Sequence, residues 1–474
     1  MIPITEYAGR DVAVYGLGRT GLSAAKALAA GGARVHAWDD GEGARAKAEA
    51  EGVNVSDINK RDWQKFAALV LSPGIPYKFP QPHRLVRMAE MMNVPVVGDM
   101  ELFARAVQAL PEKGRPSIVG ITGTNGKSTT TALIGHILKE AGRDVRVGGN
   151  IGTGVLDMAS LNANAIYVLE LSSYQLDLCH SLHCDVAVFL NLSPDHLDRH
   201  GGMNGYVEAK KRIFANQSPR DISVIGIDDP HTQAIAMGRQ RPGQGRVVQI
   251  SSEFGLARGV SAVDGHLYDS TAGQAIRVGD LADAASLPGR HNYQNAAAAY
   301  AACKALGVAP GRIMAGINSF PGLAHRMETV GEVDGVRFVN DSKATNAQAA
   351  EQALKTWPSV HWIAGGVPKA EGIAPLEPWF DRVAGAYLIG ESKAVFAKTL
   401  KDKVPTTKCG TLEAATQAAF DAARASGQPN PIVLLSPACA SFDQFKDFEA
   451  RGDAFREIIE RLADKVEPAK AAAV

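Results

Sequence analysis

The chain has 474 residues, room for about three domains at roughly 150 residues each. Its 46% hydrophobic and 21% charged residues exclude a disordered or fibrous chain. Lysine plus arginine equals aspartate plus glutamate, 50 each, so there is no charge surplus to drive counterion release on nucleic acid or adsorption to an anionic membrane. Small molecules or other proteins are the expected partners, and the chain is read as a monomer.

The opening "MIPITEYAGRDVAVYG" has no basic segment followed by an apolar run. No later stretch reaches about 18 uninterrupted apolar residues, so no membrane span and a cytoplasmic location are expected. Five cysteines, an odd number with no C-x-x-C pair, suit a reducing compartment. From "VAVYG" through "ALVLSPG", "SIVGITG", "AIYVLELSS", "VAVFLNLSP", "VRFVND", "HWIAGG" and "AYLIGES" to "PIVLLSP", Val- and Ile-rich runs alternate with Ala-rich helical stretches. That alternation predicts an α/β fold of parallel sheets, with functional loops beyond the carboxyl ends of the strands.

The first such loop carries Gly16, Gly18 and Gly21 as G-x-G-x-x-G between the strand "DVAVY" and the helix "LSAAKALAAGG", and Asp39 closes the next strand. The glycines let backbone N–H groups approach a pyrophosphate at a helix N-terminus, while the carboxylate suits ribose hydroxyls. A tight strand-to-helix turn without a ligand is the alternative. Pro and Gly in "ALPEKGRPS", Ala109 to Ser117, mark a boundary after a domain spanning 1–112.

A second loop, "TGTNGKST", follows "SIVGI" and opens an Ala/Leu helix. It departs from the usual P-loop because Ile121 stands at the first glycine's place and Gly123 is extra. Its N–H groups and helix dipole can still wrap phosphates, Lys127 can meet a γ-phosphate and Ser128 can ligate Mg²⁺. Downstream, Glu170 ends a buried strand, His196 follows the next one, and Lys210 lies on the helix after it. Singly, Glu170 reads as a solvated strand-end acid, His196 as a satisfied loop histidine and Lys210 as a solvated helix face; together, in one P-loop domain, they suit a metal site. Between Ser218 and Gly289, β-branched residues with Gly and Asp turns predict an antiparallel extension. A Pro/Gly-rich turn at "NSFPGLAHRMETVGEVDG", Asn318 to Gly335, separates a central domain, 113–322, from a third, 323–474.

The sequence resembles the Mur ligases of peptidoglycan precursor synthesis over nearly its whole length. The resemblance rests on "GLGRTG", "SPGIP", "GDMELF", "TGTNGKST", "GGNIG", "LELSSYQLD", "LSPDHLDRH", "EAKKRIF", "GRHNYQNAAAA", "AHRME", "NDSKATN" and "LLSPACASFDQFKDFEARG", in that order. It implies three domains: a Rossmann-like N-terminal domain for a UDP-sugar substrate, a central P-loop ATPase domain, and a Rossmann-like C-terminal domain for an amino acid. The first glycine loop then serves a uridine diphosphate instead of a nicotinamide. Gly16, Gly18, Arg19, Thr20 and Gly21 are implied there, with Asp39, Asp40 and Gly74 at the uridine end and Asn150 toward the sugar-peptide.

For ATP the resemblance implies Gly123, Thr124, Asn125, Gly126, Lys127, Ser128 and Thr129. His291, Asn292 and Asn295 belong to the motif at the adenine side, Asp341 to the ribose, and Arg326 to the transferring phosphate. Mg²⁺, as two ions, is implied at Ser128, Glu170, His196 and Lys210, the last carrying a CO₂-derived carbamate. Lys343, Thr345, Lys369, Ser441 and Phe448 are implied for the incoming amino acid, although Val367 and Pro368 precede Lys369 where the family commonly has an acid. "NDSKATN" with "SPACASFDQF" points to the member that adds D-glutamate to UDP-N-acetylmuramoyl-L-alanine through an acyl phosphate. Lys127, Lys210, His196 and Arg326 would then be catalytic. Other Mur-type ligases and folylpolyglutamate synthetase are the near alternatives. An NAD(P)-binding dehydrogenase or a P-loop regulatory switch is the alternative from another class.

Overall fold

The computed structural model describes residues 1–241, 243–284 and 286–471, with side chains in the last helix as far as Lys465. The chain forms two compact units, Met1–Asp283 with Tyr293–Phe320, and Ala284–Asn292 with Pro321–Val474. Both are mixed α/β.

Unit one contains two sheets. The first comprises β1 (Asp11–Tyr15), β2 (Arg34–Trp38), β3 (Phe66–Leu71) and β4 (Val96–Val97), in the order β2-β1-β3-β4 and parallel throughout. After Asp11, β1 reads as an unbroken apolar run because both its faces are covered. Val12 and Val14 enter one core cluster, Ala13 and Tyr15 another, as the two-residue period of a strand requires. β1 lies between β2 and β3, so the loops after β1 and β3 meet at a topological switch point.

The second sheet has nine strands: β5 (Ser117–Thr122), β6 (Asp144–Gly149), β7 (Ala165–Glu170), β8 (Val186–Phe189), β9 (Ile222–Gly226), β10 (Arg246–Ser251), β11 (Val260–Val263), β12 (His266–Asp269) and β13 (Ile276–Asp280). Their order is β13-β12-β11-β10-β9-β8-β5-β7-β6. The chain leaves β5 for β6 and β7 on one side, then crosses to β8 on the other. The carboxyl ends of β7, β5 and β8 therefore lie side by side. Pairing stays parallel from β6 through β11, and only β11–β12 and β12–β13 are antiparallel. The expected antiparallel extension thus begins at β11, since the helix Pro230–Gly238 still carries the chain from β9 to β10 as a parallel crossover.

Unit two holds β14 (Glu328–Val333), β15 (Val336–Asn340), β16 (Val360–Gly365), β17 (Val383–Ile389), β18 (Thr406–Gly410) and β19 (Ile432–Leu435), ordered β14-β15-β19-β16-β17-β18. Only the β14–β15 pair is antiparallel. β19 inserts between β15 and β16, which brings the loops after these three strands together. Core clusters cover both faces of this sheet, one including Trp362 and Leu434, the other Phe338 and Val433.

Candidate active site

The P-loop begins where β5 ends at Thr122. Gly126 has φ +81°, and a Cβ there would run into Asn295 Oδ1, so glycine answers both the backbone and the space. The neighbouring loop after β8 braces the turn. Thr124 N–H donates to the Asn191 carbonyl (2.9 Å) and Asn125 N–H to Asn191 Oδ1 (2.9 Å). Asn191 Nδ2 donates to Gln294 Oε1 (2.8 Å), whose Nε2 donates to Asp228 (3.0 Å). Lys127 Nζ donates to the carbonyls of Gly123 (3.0 Å) and Thr124 (2.7 Å), so the ammonium rests on its own loop. Ser128 and Thr129 are buried in the first turn of the helix Lys127–Glu140. Asn295 lies behind that helix, where its Oδ1 accepts from Thr130 (3.1 Å).

Glu170 sits beside this loop because β7 pairs with β5 in register, Ile121 opposite Glu170. Its carboxylate is buried. Oε1 accepts from Asn150 Nδ2 (2.7 Å), and Oε2 has no hydrogen-bond partner among the described residues. Lys210 reaches the same region from the helix Met203–Lys211 and is 1% exposed. Its Nζ donates to the Gly123 carbonyl (2.7 Å) and Thr122 Oγ1 (3.3 Å). Burial first, and the charge of Lys127 second, hold its pKa well below the usual lysine value, with Asp195 and Glu170 opposing. Tyr206, one turn earlier, bonds Thr124 Oγ1 (3.1 Å). His196 opens the short turn Leu197–His200 in a left-handed conformation, φ +52°, 3.4 Å from Asp195 and against the Tyr174 ring. Burial lowers its pKa.

The first glycine loop belongs to the same unit. Gly16 has φ +88°, and a Cβ on Gly21 would strike the Gly16 carbonyl, so strand end and helix start pack at backbone distance. Asp39 accepts from the N–H of Leu17 (2.7 Å) and of Gly41 (2.8 Å), and Ser72 Oγ donates to the Gly16 carbonyl (2.7 Å). Gly18 is exposed at the N-cap of the helix Arg19–Ala30, which Arg19 and Thr20 open. Arg19 donates to the carbonyls of Asn150 and Gly152 (3.1 Å each), linking this loop to the one that reaches Glu170. Asp40 pairs with Arg84 (3.2 Å), and the Gly74 carbonyl accepts from Arg199 (3.0 Å).

In unit two, Asp341 follows β15 and is buried, accepting from Ser436 Oγ (2.8 Å) and Met327 N–H (3.2 Å). Burial raises its pKa to about 7, with Ser436 and then Arg326 working the other way. His291 is pushed down to about 4 by burial, then by Arg326 and Lys355. Asn292 is buried and caps back to the Pro288 carbonyl (2.7 Å). Lys343 Nζ lies 3.9 Å from the Phe448 ring centroid. Buried Arg451 clamps the Ser342 carbonyl (2.8 Å) and the Cys439 carbonyl (3.1 Å), fixing the Ser441 loop against the Lys343 loop. Val367 and Ala440 exchange backbone hydrogen bonds (2.9 and 3.1 Å), which sets the exposed Lys369 segment beside Ser441. Thr345 is half-buried, its N–H donating to the Lys343 carbonyl (2.9 Å).

Sequence reading missed Asn191, Tyr206, Gln294 and Arg451. "NLSPD" directly after β8 was the available signal for Asn191; the other three lie in helices, where no local pattern marks them.

Residues 121–303 match the Mur ligase middle domain, and residues 325–439 match the Mur ligase, glutamate ligase domain. The chain is 57% identical to the UDP-N-acetylmuramoylalanine–D-glutamate ligase of Caulobacter sp. (strain K31) over 98% of both chains. It is 51% identical to that of Rhodospirillum rubrum, over 98% of this chain and 97% of the relative. In fold it is similar to the UDP-N-acetylmuramate-alanine ligase of Thermotoga maritima, with TM-score 0.60 at 16% identity, over 95% of this chain and 99% of the other. The MurF ligase of Thermotoga maritima, solved in complex with ADP, gives TM-score 0.54 at 19% identity, over 84% and 90%. With its loops on three adjacent strand ends and full-length relatives at this identity, the chain belongs to the Mur ligase family.

Proposed function

We propose that the protein joins D-glutamate to UDP-N-acetylmuramoyl-L-alanine at the expense of ATP, in peptidoglycan precursor synthesis. The reaction named for its 57%-identical relative supports this reading, and one observation carries the chemistry. At the shared edge of β5 and β7, a P-loop, a buried carboxylate with an oxygen unpartnered among the described residues, and a buried lysine of lowered pKa stand together. We assign the first sheet to the UDP-sugar, the second to ATP and the third to the amino acid, as domains 1–112, 113–322 and 323–474.

The residues fit Mg²⁺: Glu170 Oε2 lacks a donor among the described residues, and Ser128 and His196 offer further oxygen and nitrogen ligands. Bound there, with a carbamate on Lys210, two Mg²⁺ ions would draw charge from the phosphates. Carbamylation needs a neutral amine. Burial favours the neutral form at Lys210, and addition of its nitrogen to CO₂ with loss of one proton turns that neutral amine into an anion. Lys127 would exchange two neutral carbonyls for the γ-phosphate, a charge-assisted partner.

The alanine carboxylate attacks the γ-phosphorus and ADP departs. Lys127 and Arg326 offset the repulsion between the two anions. Lys343, Ser441, Thr345, Lys369 and the Phe448 ring orient D-glutamate. Its amine then attacks the acyl phosphate, and the tetrahedral intermediate releases phosphate. Asp39 and Arg19 hold the uridine diphosphate end and Asn150 the sugar-peptide, so that binding energy from outside the reacting centre positions it. The test is phosphate release from ATP with UDP-N-acetylmuramoyl-L-alanine, screened across amino acids and their enantiomers. Turnover should require D-glutamate; equal turnover with L-glutamate, or turnover with meso-diaminopimelate, overturns the assignment.

A further inference from the structure

Behind the helix Met203–Lys211 lies a cavity of about 500 Å³ that none of the substrate contacts assigned above uses. Gly205, Glu208, Ala209 and Arg212 line it at i, i+3, i+4 and i+7, a single stripe. Tyr206 and Lys210, also four residues apart, form the opposite stripe and bond the P-loop at Thr124 and Gly123. One helix thus faces the cavity and the candidate active site at once.

The charges in the cavity are unequal in their partners. Its two carboxylates are paired, Asp177 with Lys78 (2.9 Å) and Glu208 with Lys211 (2.7 Å). Arg212 forms no ion pair among the described residues and donates to neutral acceptors, the Cys179 carbonyl (3.2 Å) and His180 Nδ1 (2.9 Å). Because that Nδ1 accepts, the ring proton of neutral His180 is placed on Nε2, as a donor. Burial, then Arg212, lowers the pKa of His180; Lys78 and Arg105 add to the positive field, and Glu101 opposes it. Exposed Phe79, with Ala209 and Ala215, supplies an apolar wall.

We propose that this cavity binds a small organic anion, a carboxylate or phosphate with a short apolar body, on Arg212 and His180, and that occupancy alters turnover by displacing the helix that carries Lys210. The probes are benzoate and phenyl phosphate, which separate the two anion types, with benzyl alcohol as the neutral control. Binding is measured by calorimetry on the full chain, with and without saturating UDP-N-acetylmuramoyl-L-alanine. At least one anion should bind saturably in both conditions, and benzyl alcohol should not. Arg212→Gln should weaken binding about tenfold, the scale of one charge-assisted hydrogen bond. Ala215→Phe, at an exposed position, should fill the cavity and abolish binding along with the effect on phosphate release. The proposal fails if neither anion binds in the millimolar range, if the UDP-sugar displaces it, if both variants bind as wild type does, or if saturation leaves turnover unchanged.

Discussion

Asp341→Asn separates burial from chemistry in the third sheet. The Asp341 carboxyl is fully buried and its pKa is raised to about 7, whereas in the unfolded chain it titrates near the ordinary value of about 3.9. Between roughly pH 4 and pH 7 the folded state keeps a proton that the unfolded state has lost, so stability falls as pH rises through that window, by about 1.4 kcal/mol per unit. Integrated from pH 5 to pH 8, the loss from this group is about 3 kcal/mol. Asn removes the titration while leaving one oxygen to accept from Ser436 or Met327. The stability gap between variant and wild type should therefore move in the variant's favour by about 3 kcal/mol over that range. Urea unfolding at the two pH values, followed by tryptophan fluorescence, measures it. Trp362 is well placed, since its indole N–H donates to the Ser436 carbonyl (2.7 Å). A gap that stays constant, or moves the other way, refutes the claim that burial governs this carboxyl.

Glu170→Gln keeps an acceptor for Asn150 but removes the charge; phosphate release should fall by about 100-fold or more, and an unaltered Mg²⁺ dependence would contradict a metal role. Lys210→Ala should be nearly inactive and partly restored by acetate, while Lys211→Ala, about 100° around the helix and paired with Glu208 at the surface, should be mild. Equal loss at both positions would reduce Lys210 to a packing residue. Gly126→Ala forces a side chain into a left-handed backbone and onto Asn295; it should cost about 1–3 kcal/mol and raise KM for ATP, and a variant with unchanged ATP kinetics and melting temperature would count against the tight turn.

The glycine loops were legible because their chemistry is local. A strand, a turn that only glycine can make and a helix N-terminus lie within about ten consecutive residues, and Gly16, Gly21 and Gly126 each meet a backbone or steric demand at their own position. Glu170 was legible as a strand-end acid, but its orphaned Oε2 was not, since that depends on which neighbours surround it. Lys210 reads on its own as one of two adjacent surface lysines. The helix phase buries one and leaves the other half-buried, and the phase is set by packing on the P-loop. Arg451 is a plain helix arginine in the sequence, yet its guanidinium is sealed among the carbonyls of Ser342 and Cys439, more than 100 residues from the first of them.

By itself the sequence determined the α/β class, the two phosphate-type loops and the strand ends that carry acids and bases, because alternating apolar periodicity and glycine placement are properties of contiguous residues; its resemblance to the family rested on the ordered motif series. Tertiary structure alone decided the strand order. It placed β5 between β7 and β8 and β19 between β15 and β16, and so determined which strand-end loops adjoin. It also decided that Lys210 meets the P-loop at Gly123, and that a cavity lies on the other side of the same helix. Those outcomes rest on pairings between segments tens to hundreds of residues apart, and burial, pKa and the distance between two side chains exist only once such pairings have formed.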